Sequence, residues 1–346
     1  MKSNNLEKLL IENFQQFINH WKNTNHEGIL ADILIVSISD GYKRAKVITP
    51  TINKGDMIEK DGQHILEMLL SKLKWATSQF DNPLKWLRIE WVSTEKEFTW
   101  KDFNQELRRY KRNYFRSGIA YKGNTKPWCL LTEMELNANA CLYVGGEVSY
   151  AKVNSKNLNK YIKSRHSSDN ISSFDDEMEL IVFQTSGIFF DAQTNDIETL
   201  CTLPRHHGHR EIPSLTPEIT SDLIDKTTHY LANQVKSNGR FEYGHFPCFG
   251  RNINTYNTLR HASSVYSLIE GYGFCREHQV ESQNLGFIAQ QIESALLYLE
   301  NNVIKHYPDN KAYILEINNT IKLGANAVCI LALVKYIQVF SNSEHN

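Results

Sequence analysis

The segment LRHASSVYSLIEGY at 259–272 aligns without gaps to LGANAVCILALVKY at 323–336. Both copies open with Leu, set small residues in the first turn, continue with aliphatics and close on Tyr. An offset from 259 to 323 fits a pair of helices with their connections. One such pair cannot bury its apolar face alone and must stack on its neighbours. The small residues Ala262, Ser263, Ala325 and Ala327 would let those helices approach closely. From Pro217 onward the periodicity is helical only, and it predicts helices near 217–237, 255–272, 283–302 and 322–340. Thr216-Pro217-Glu218 marks the first start, with a hydroxyl cap, a proline at the first helical position and an acid after it.

Upstream the pattern differs. After an amphipathic N-terminal helix on Leu6, Leu9, Leu10, Phe14 and Phe17, the run Ile33–Ile38 is apolar and β-branched. Asp40-Gly41 then gives a hairpin signal, with the second strand at Ala45–Thr49. A helical stripe over His64–Phe80, an alternating strand over Trp86–Val92 and a helix over Trp100–Tyr114 follow. Further on, a helix is expected within Trp128–Leu142 and another over Asn154–Ser164. Next come a polar loop at Ser167–Asp176 and strands over Glu179–Phe190 and Ile197–Thr202. The expected fold class is α+β. A mixed α/β N-terminal domain spans 1–204, a Pro- and His-rich linker 205–216, and an all-α domain of repeated helix hairpins, a partial α/α toroid, 217–346.

Charge and composition exclude several classes. Lys plus Arg is 38 and Asp plus Glu is 39, so no global field draws the chain to nucleic acid or to an anionic membrane. The N-terminus has no secretory apolar core. The apolar stretch Leu323–Phe340 is interrupted by Asn326, Lys335 and Gln338 and reads as a buried helix rather than a membrane span. A cytoplasmic location is expected. The cysteines at 129, 141, 201, 248, 275 and 329 form no CxxC or zinc-knuckle spacing and read as reduced, buried thiols. No P-loop, GxGxxG fingerprint or GxSxG elbow is present, and no cofactor or metal is expected.

The densest chemistry lies in NGRFEYGHFPCFGRNINTYNTLRHASSVYSL, from Asn238 to Leu268. A segment this rich in donors, acceptors and rings is costly to bury unless each group finds a partner. Arg240, Arg251 and Arg260 can fork onto a carboxylate or phosphate. Tyr243 and Tyr256 offer rings and hydroxyls to a sugar, and His245 and Asn257 add polar contacts. His261 and Glu242 form an acid/base pair, with Tyr256 as the third catalytic candidate. The bland alternative has Arg260 and His261 tethering the loop at a helix start, with Phe241, Phe246 and Phe249 in the core.

GRFEY, YNTLRHASSVYSLIEGY and KLGANAVCILALVKY together resemble repeats of the α/α-toroid carbohydrate-active enzymes. The nearest in type are the glucuronyl C5-epimerase and N-acylglucosamine epimerase group and the six-hairpin glycosidases. The resemblance covers roughly the last third of the chain. It implies epimerase, lyase or hydrolase chemistry on an acidic sugar or a cell-envelope polysaccharide precursor, with an anionic sugar or polymer as ligand. The competing expectation is a non-catalytic scaffold module that binds a protein partner.

Three lesser motifs remain. HHGHRE at 206–211 holds a His-x-His pair able to ligate zinc, or is a plain hinge. RRYKRNYFR at 108–116 interleaves five cations with rings, a nucleic-acid pattern or a solvated helix face; no nucleic-acid partner is expected. TEMELNANA at 132–140 pairs Glu133 with Glu135, the type of carboxylate pair that glycosidic chemistry uses, or an exposed polar face.

Overall fold

The computed structural model describes residues 5–24, 27–52, 62–112, 114–146, 148–167, 174–203, 206–212, 214–246, 251–278, 285–316 and 318–341, with Phe246 and Arg251 described by their backbone alone. Cys248, Phe249 and most of the polar loop expected at Ser167–Asp176 lie outside the described residues. The chain divides into two compact units, one running to Glu211 and the other beginning at Ile212.

In the first unit, strands β1 (Leu34–Ser39), β2 (Lys46–Ile48), β3 (Trp86–Thr99), β4 (Gly118–Tyr121), β5 (Cys129–Leu131), β6 (Glu179–Asp191) and β7 (Asp196–Thr199) form one sheet. Its order is β2-β1-β3-β6-β4-β5, with β7 paired to the end of β6, and every pairing is antiparallel. The sheet curls into a half-barrel. Side chains alternate across it as the strand period demands. Leu34, Val36 and Ile38 of β1, Leu87, Ile89 and Trp91 of β3, and Ile188 and Phe190 of β6 share one buried face. Helices α1 (Asn5–Glu12), α2 (Phe14–Lys22) and α3 (Gln63–Thr77) cover that face through Leu6, Leu10, Phe17, Trp21, Leu69 and Leu73. A bulge between Val92 and Thr94 shifts the β3–β6 register. Beyond it α4 (Trp100–Leu107), α5 (Glu133–Ala138) and α6 (Ser155–Arg165) enclose a second core with Ile119, Tyr121, Leu131 and Leu180.

The opposite parity is unlike either core. Ser37 and Ser39 of β1, Arg88 and Glu90 of β3, and Thr185, Gly187 and Phe189 of β6 fall on the other face. That face is polar and charged at these positions and turns apolar beside them at Ile35, Val92, Ile181 and Phe183.

The second unit holds helices α7 (Pro217–Ala232), α8 (Thr258–Glu277), α9 (Leu285–Asn302) and α10 (Leu323–Ser341). Thr216 caps α7 by accepting from the Ile219 amide, and Asn257 caps α8 by accepting from the Arg260 amide. The two repeated segments are α8 and α10, and they pack on each other. Between them lie Ala262, Val265 and Ile269 of α8 and Ala325, Cys329 and Ala332 of α10, joined by Ile288, Ile292 and Ala295 of α9.

The expected all-helical repeat domain is not what forms. Strands β8 (His245–Phe246) and β9 (Arg251–Asn252) pair between α7 and α8, and β10 (Ile304–Tyr307) and β11 (Lys311–Ile314) pair between α9 and α10. This overturns the partial α/α toroid, and with it the resemblance to the toroid enzymes. The fold is mixed α/β throughout, dominated by the half-barrel sheet over 34–200. Helical periodicity is strong over long apolar segments and blind to four-residue strands. The β10–β11 turn carries its own signal: Asp309 and Asn310 sit at φ 71° and 58°, a conformation Asp and Asn tolerate better than most residues. A second correction concerns α10, which is not a buried helix, since only 22% of its apolar window is buried.

Candidate functional site

The segment singled out in the sequence folds into three separate local arrangements. In the first, Arg240 lies 4.9 Å over the Tyr256 ring and donates to the Thr255 carbonyl. His261 packs among Phe241, Tyr256 and Tyr298, and its Nε2 donates to the Ala295 carbonyl at 3.0 Å. In the second, Glu242 accepts from Lys236 at 2.7 Å and from Asn252 at 2.8 Å, and the same Asn252 accepts from His245 at 2.7 Å. In the third, Arg260 lies 4.9 Å over the Tyr243 ring, while Asn257 serves as the α8 cap. Arg240, Tyr256 and His261 therefore meet; Glu242, His245, Tyr243 and Arg260 lie outside that cluster. Each of these side chains already has a structural contact, while Arg240 Nε, Tyr256 Oη and His261 Nδ1 are buried without a hydrogen-bond partner among the described residues.

Burial drives the His261 imidazole down to about 4 despite the favourable bond to Ala295. A folded-state value below the ordinary 6.5 means the neutral ring is the stabilising form. Its contribution is complete above pH 6.5 and is lost as pH falls toward 4, amounting to roughly 3 kcal/mol at full protonation. Urea unfolding of the second unit, followed by circular dichroism, is expected to show this loss. His261→Gln, which keeps a donor for Ala295 and cannot titrate, is expected to lack it. An identical pH slope in both proteins would refute the assignment.

A different cluster forms in the first unit, built from the three lesser motifs. Thr132 and Glu135 make a reciprocal capping box at the start of α5: the Glu135 amide donates to Thr132 Oγ1 at 3.1 Å, and the Thr132 amide donates to Glu135 Oε2 at 2.9 Å. The helix places Glu133 and Asn137 on one face, where Asn137 donates to Glu133 Oε1 at 2.6 Å. Arg116, the last cation of RRYKRNYFR, donates to the same Glu133 oxygen at 2.6 Å. Glu135 Oε1 accepts from Tyr161 at 2.6 Å and from Arg165 Nε at 2.9 Å, both on α6.

On the sheet, Arg88 donates to Glu90 at 2.7 Å and Thr185 donates to the same carboxylate oxygen at 2.6 Å. The HHGHRE segment folds back along residues 200 and 201, with the Cys201 amide donating to the His209 carbonyl and the Gly208 amide to the Cys201 carbonyl. There the Gly208 carbonyl accepts from Arg88 Nη1 at 2.9 Å, and His207 is buried beside Thr185. Gly208 sits at φ 75°, and a Cβ there would meet Arg88 Nη2 at 2.7 Å, so glycine is required both by the backbone and by the guanidinium. Gly187, paired opposite Glu90, likewise leaves room for that side chain: a Cβ would stand 2.8 Å from Glu90 Cγ.

Glu90, Glu133 and Glu135 are all buried, and each is held by its own arginine. Burial opposes the Arg88 charge, but the Glu90 carboxylate outweighs it and holds the guanidinium above its ordinary value. Burial, reinforced by Glu135, pushes the Tyr161 phenol well up, so it remains a donor. Burial pushes the His207 imidazole down, although Glu90 and Glu133 pull the other way.

Of these groups Arg88, Glu90, Glu135 and Tyr161 line a cavity of about 480 Å³ floored by Ser37, Ser39, Arg88, Glu90 and Phe189, roofed by Met134, Glu135 and Tyr161, and bordered by Lys43, Arg44 and Trp86. Arg44 lies 4.3 Å over the Tyr161 ring. Among the described residues, Arg88 Nε, Arg165 Nη2 and Asn139 Oδ1 are buried in this cluster without a hydrogen-bond partner. A larger depression of about 960 Å³, beside Tyr42 and Phe80, gathers no buried charged group. The sequence flagged Glu133, Glu135, Arg116 and His207 one motif at a time; it gave no hint of Arg88, Glu90, Tyr161 or Thr185, which become neighbours only when the sheet curls. Compared with protein-family models, curated proteins and solved structures, the chain matches none.

Proposed function

We propose that this is a carbohydrate-active protein that takes an acidic sugar, or the acidic sugar of a cell-envelope precursor, into the cavity of the first unit. The observation that carries this reading is the cavity itself, open at its Lys43–Arg44 border and lined deeper in by buried side chains. It combines carboxylates paired to arginines with open donor and acceptor positions on Arg88 and Asn139. Its size is within the range of small-molecule pockets, which run from about 300 to 1,000 Å³. Hydroxyls of a sugar both donate and accept, and a lining of carboxylate, guanidinium, amide and serine side chains answers both. The Trp86 and Tyr161 rings offer flat apolar surface to the C–H face of a pyranose. Arg44 at the border favours a ligand with a carboxylate or phosphate; Lys43 beside it is already paired with Asp81.

The test is calorimetric titration with glucuronate, galacturonate, a uridine-diphosphate uronic acid and neutral glucose. Acidic sugars are expected to bind and glucose to bind more weakly or not at all. Arg44→Ala, at the border and outside the buried ion pairs, is expected to weaken acidic-sugar binding about tenfold, the scale of one lost charge-assisted hydrogen bond. No binding by any acidic sugar, or equal binding of glucose, would sink the reading.

A second reading, a non-catalytic interaction module, is favoured by one feature of the other unit, the exposed apolar side of α10.

A further inference from the structure

The buried side of α10 is accounted for by α8, through Ala325, Cys329, Ala332 and Val339. On its other side Leu323, Ala327, Ile330, Val334 and Ile337 succeed one another in steps of four, three, four and three residues. Ile330 and Ile337 are 61% and 60% exposed. A seam with this alternating step is the one that a second helix packs against, because it stays in line along a shared axis. A strand has a period of two and would meet it only at intervals. Beside the seam runs a groove of about 630 Å³ lined by Leu296, Leu297, Leu333 and Tyr336, with Glu293 and Glu300 along it. Those two acids stand seven residues apart on α9, both exposed, and among the described residues neither makes an ion pair.

We infer that this face of the second unit docks a basic amphipathic helix, whose apolar stripe lies on the α10 seam and whose Lys or Arg residues, spaced by seven, meet Glu293 and Glu300. The charge pattern selects this occupant. A second copy of the chain in a two-fold contact would bring four of these acids to one interface. Nor does α10 supply a cation to offset them, since its single basic residue, Lys335, is held by Glu270 at 3.1 Å. An anionic membrane surface would face the same two carboxylates and be repelled.

Fluorescence anisotropy tests this with two labelled peptides of ~20 residues, long enough to form helix on a surface. Both carry Leu along an alternating three–four stripe; one carries Lys and the other Glu at the flanking positions. The Lys peptide is expected to bind, and the Glu peptide to bind at least about tenfold more weakly. Glu293→Lys with Glu300→Lys is expected to reverse that preference, and Ile330→Asp with Ile337→Asp to abolish both. Should the aspartate variant lose its circular dichroism spectrum, the charge reversal still decides the matter, since both acids are exposed. Binding of neither peptide, or of both equally, overturns the inference. So does sedimentation of the wild-type chain as a dimer that the aspartate variant dissociates, or flotation with phosphatidylglycerol vesicles. The titrations use no sugar and a different unit, so they stand or fall apart from the cavity reading.

Discussion

Glu135→Ala is expected to be among the most damaging single substitutions in the first unit. One carboxylate ends the capping box of α5, accepts from the Tyr161 phenol and neutralises Arg165. The Arg165 and Glu135 side chains are only 15% and 7% exposed, so removing the acid strands a guanidinium away from water. Breaking a buried pair from one side costs about 3–5 kcal/mol, and a lost cap adds about 1. All six tryptophans precede residue 129, so their fluorescence reports the first unit alone during urea unfolding. Glu135→Gln should fall between wild type and alanine, because its single amide oxygen can still accept from the Thr132 amide and complete the capping box, while its NH2 replaces the oxygen that accepted from Tyr161 and Arg165. A loss below about 1 kcal/mol for alanine would mean that Arg165 turns out to solvent instead.

Arg88→Met is the second. It leaves Glu90, whose side chain is 3% exposed, with the Thr185 hydroxyl as its hydrogen-bond donor among the described residues, and it takes the donor from the Gly208 carbonyl. The expected loss at neutral pH is again about 3–5 kcal/mol. Arg88→Met with Glu90→Leu is expected to recover most of the stability, because replacing both members of a buried pair by apolar groups is often neutral. If the double variant is no better than the single one, the cost lies in the lost packing of the arginine stem and not in the stranded charge.

Local chemistry made the elements legible and left their assembly hidden. Asp40-Gly41 signals the β1–β2 hairpin because the Asp40 carboxylate accepts from the Tyr42 and Lys43 amides while Gly41 takes φ 80°. The strand seen from Trp86 to Val92 is real, but it continues to Thr99; its outer half, STEKEFT, is polar enough to pass for a loop and is held by pairing to β6. The helix expected over Trp100–Tyr114 stops at Leu107, since the segment after it turns back toward β4. The repeat at 259–272 and 323–336 correctly marks two helices that touch, yet two similar helices do not make a ring: the hairpins before α8 and before α10 consist of two and four residues a strand, too short for any periodicity to register. The cavity was harder still. Arg88 and Glu90 look like the solvated side of an alternating strand, and only the curl of the sheet, with α5 and residues 207 and 208 laid over it, turns that side inward.

The central pairing of β3 with β6 has a consequence for how the chain comes off the ribosome. β3 ends at Thr99 and β6 does not begin until Glu179, so the longest ladder in the molecule joins segments synthesised far apart. Until β6 emerges, the nascent chain holds β1 and β3 as an open-edged ribbon with Leu87, Ile89 and Trp91 lacking one neighbour, a template for pairing with other strands. The closure of so long a loop must precede the contacts that reward it. Synthesis order therefore makes the half-barrel a late event: α1 to α3 can gather on β1 and β3 early, but the cavity floor is incomplete until Phe189 of β6 has been translated.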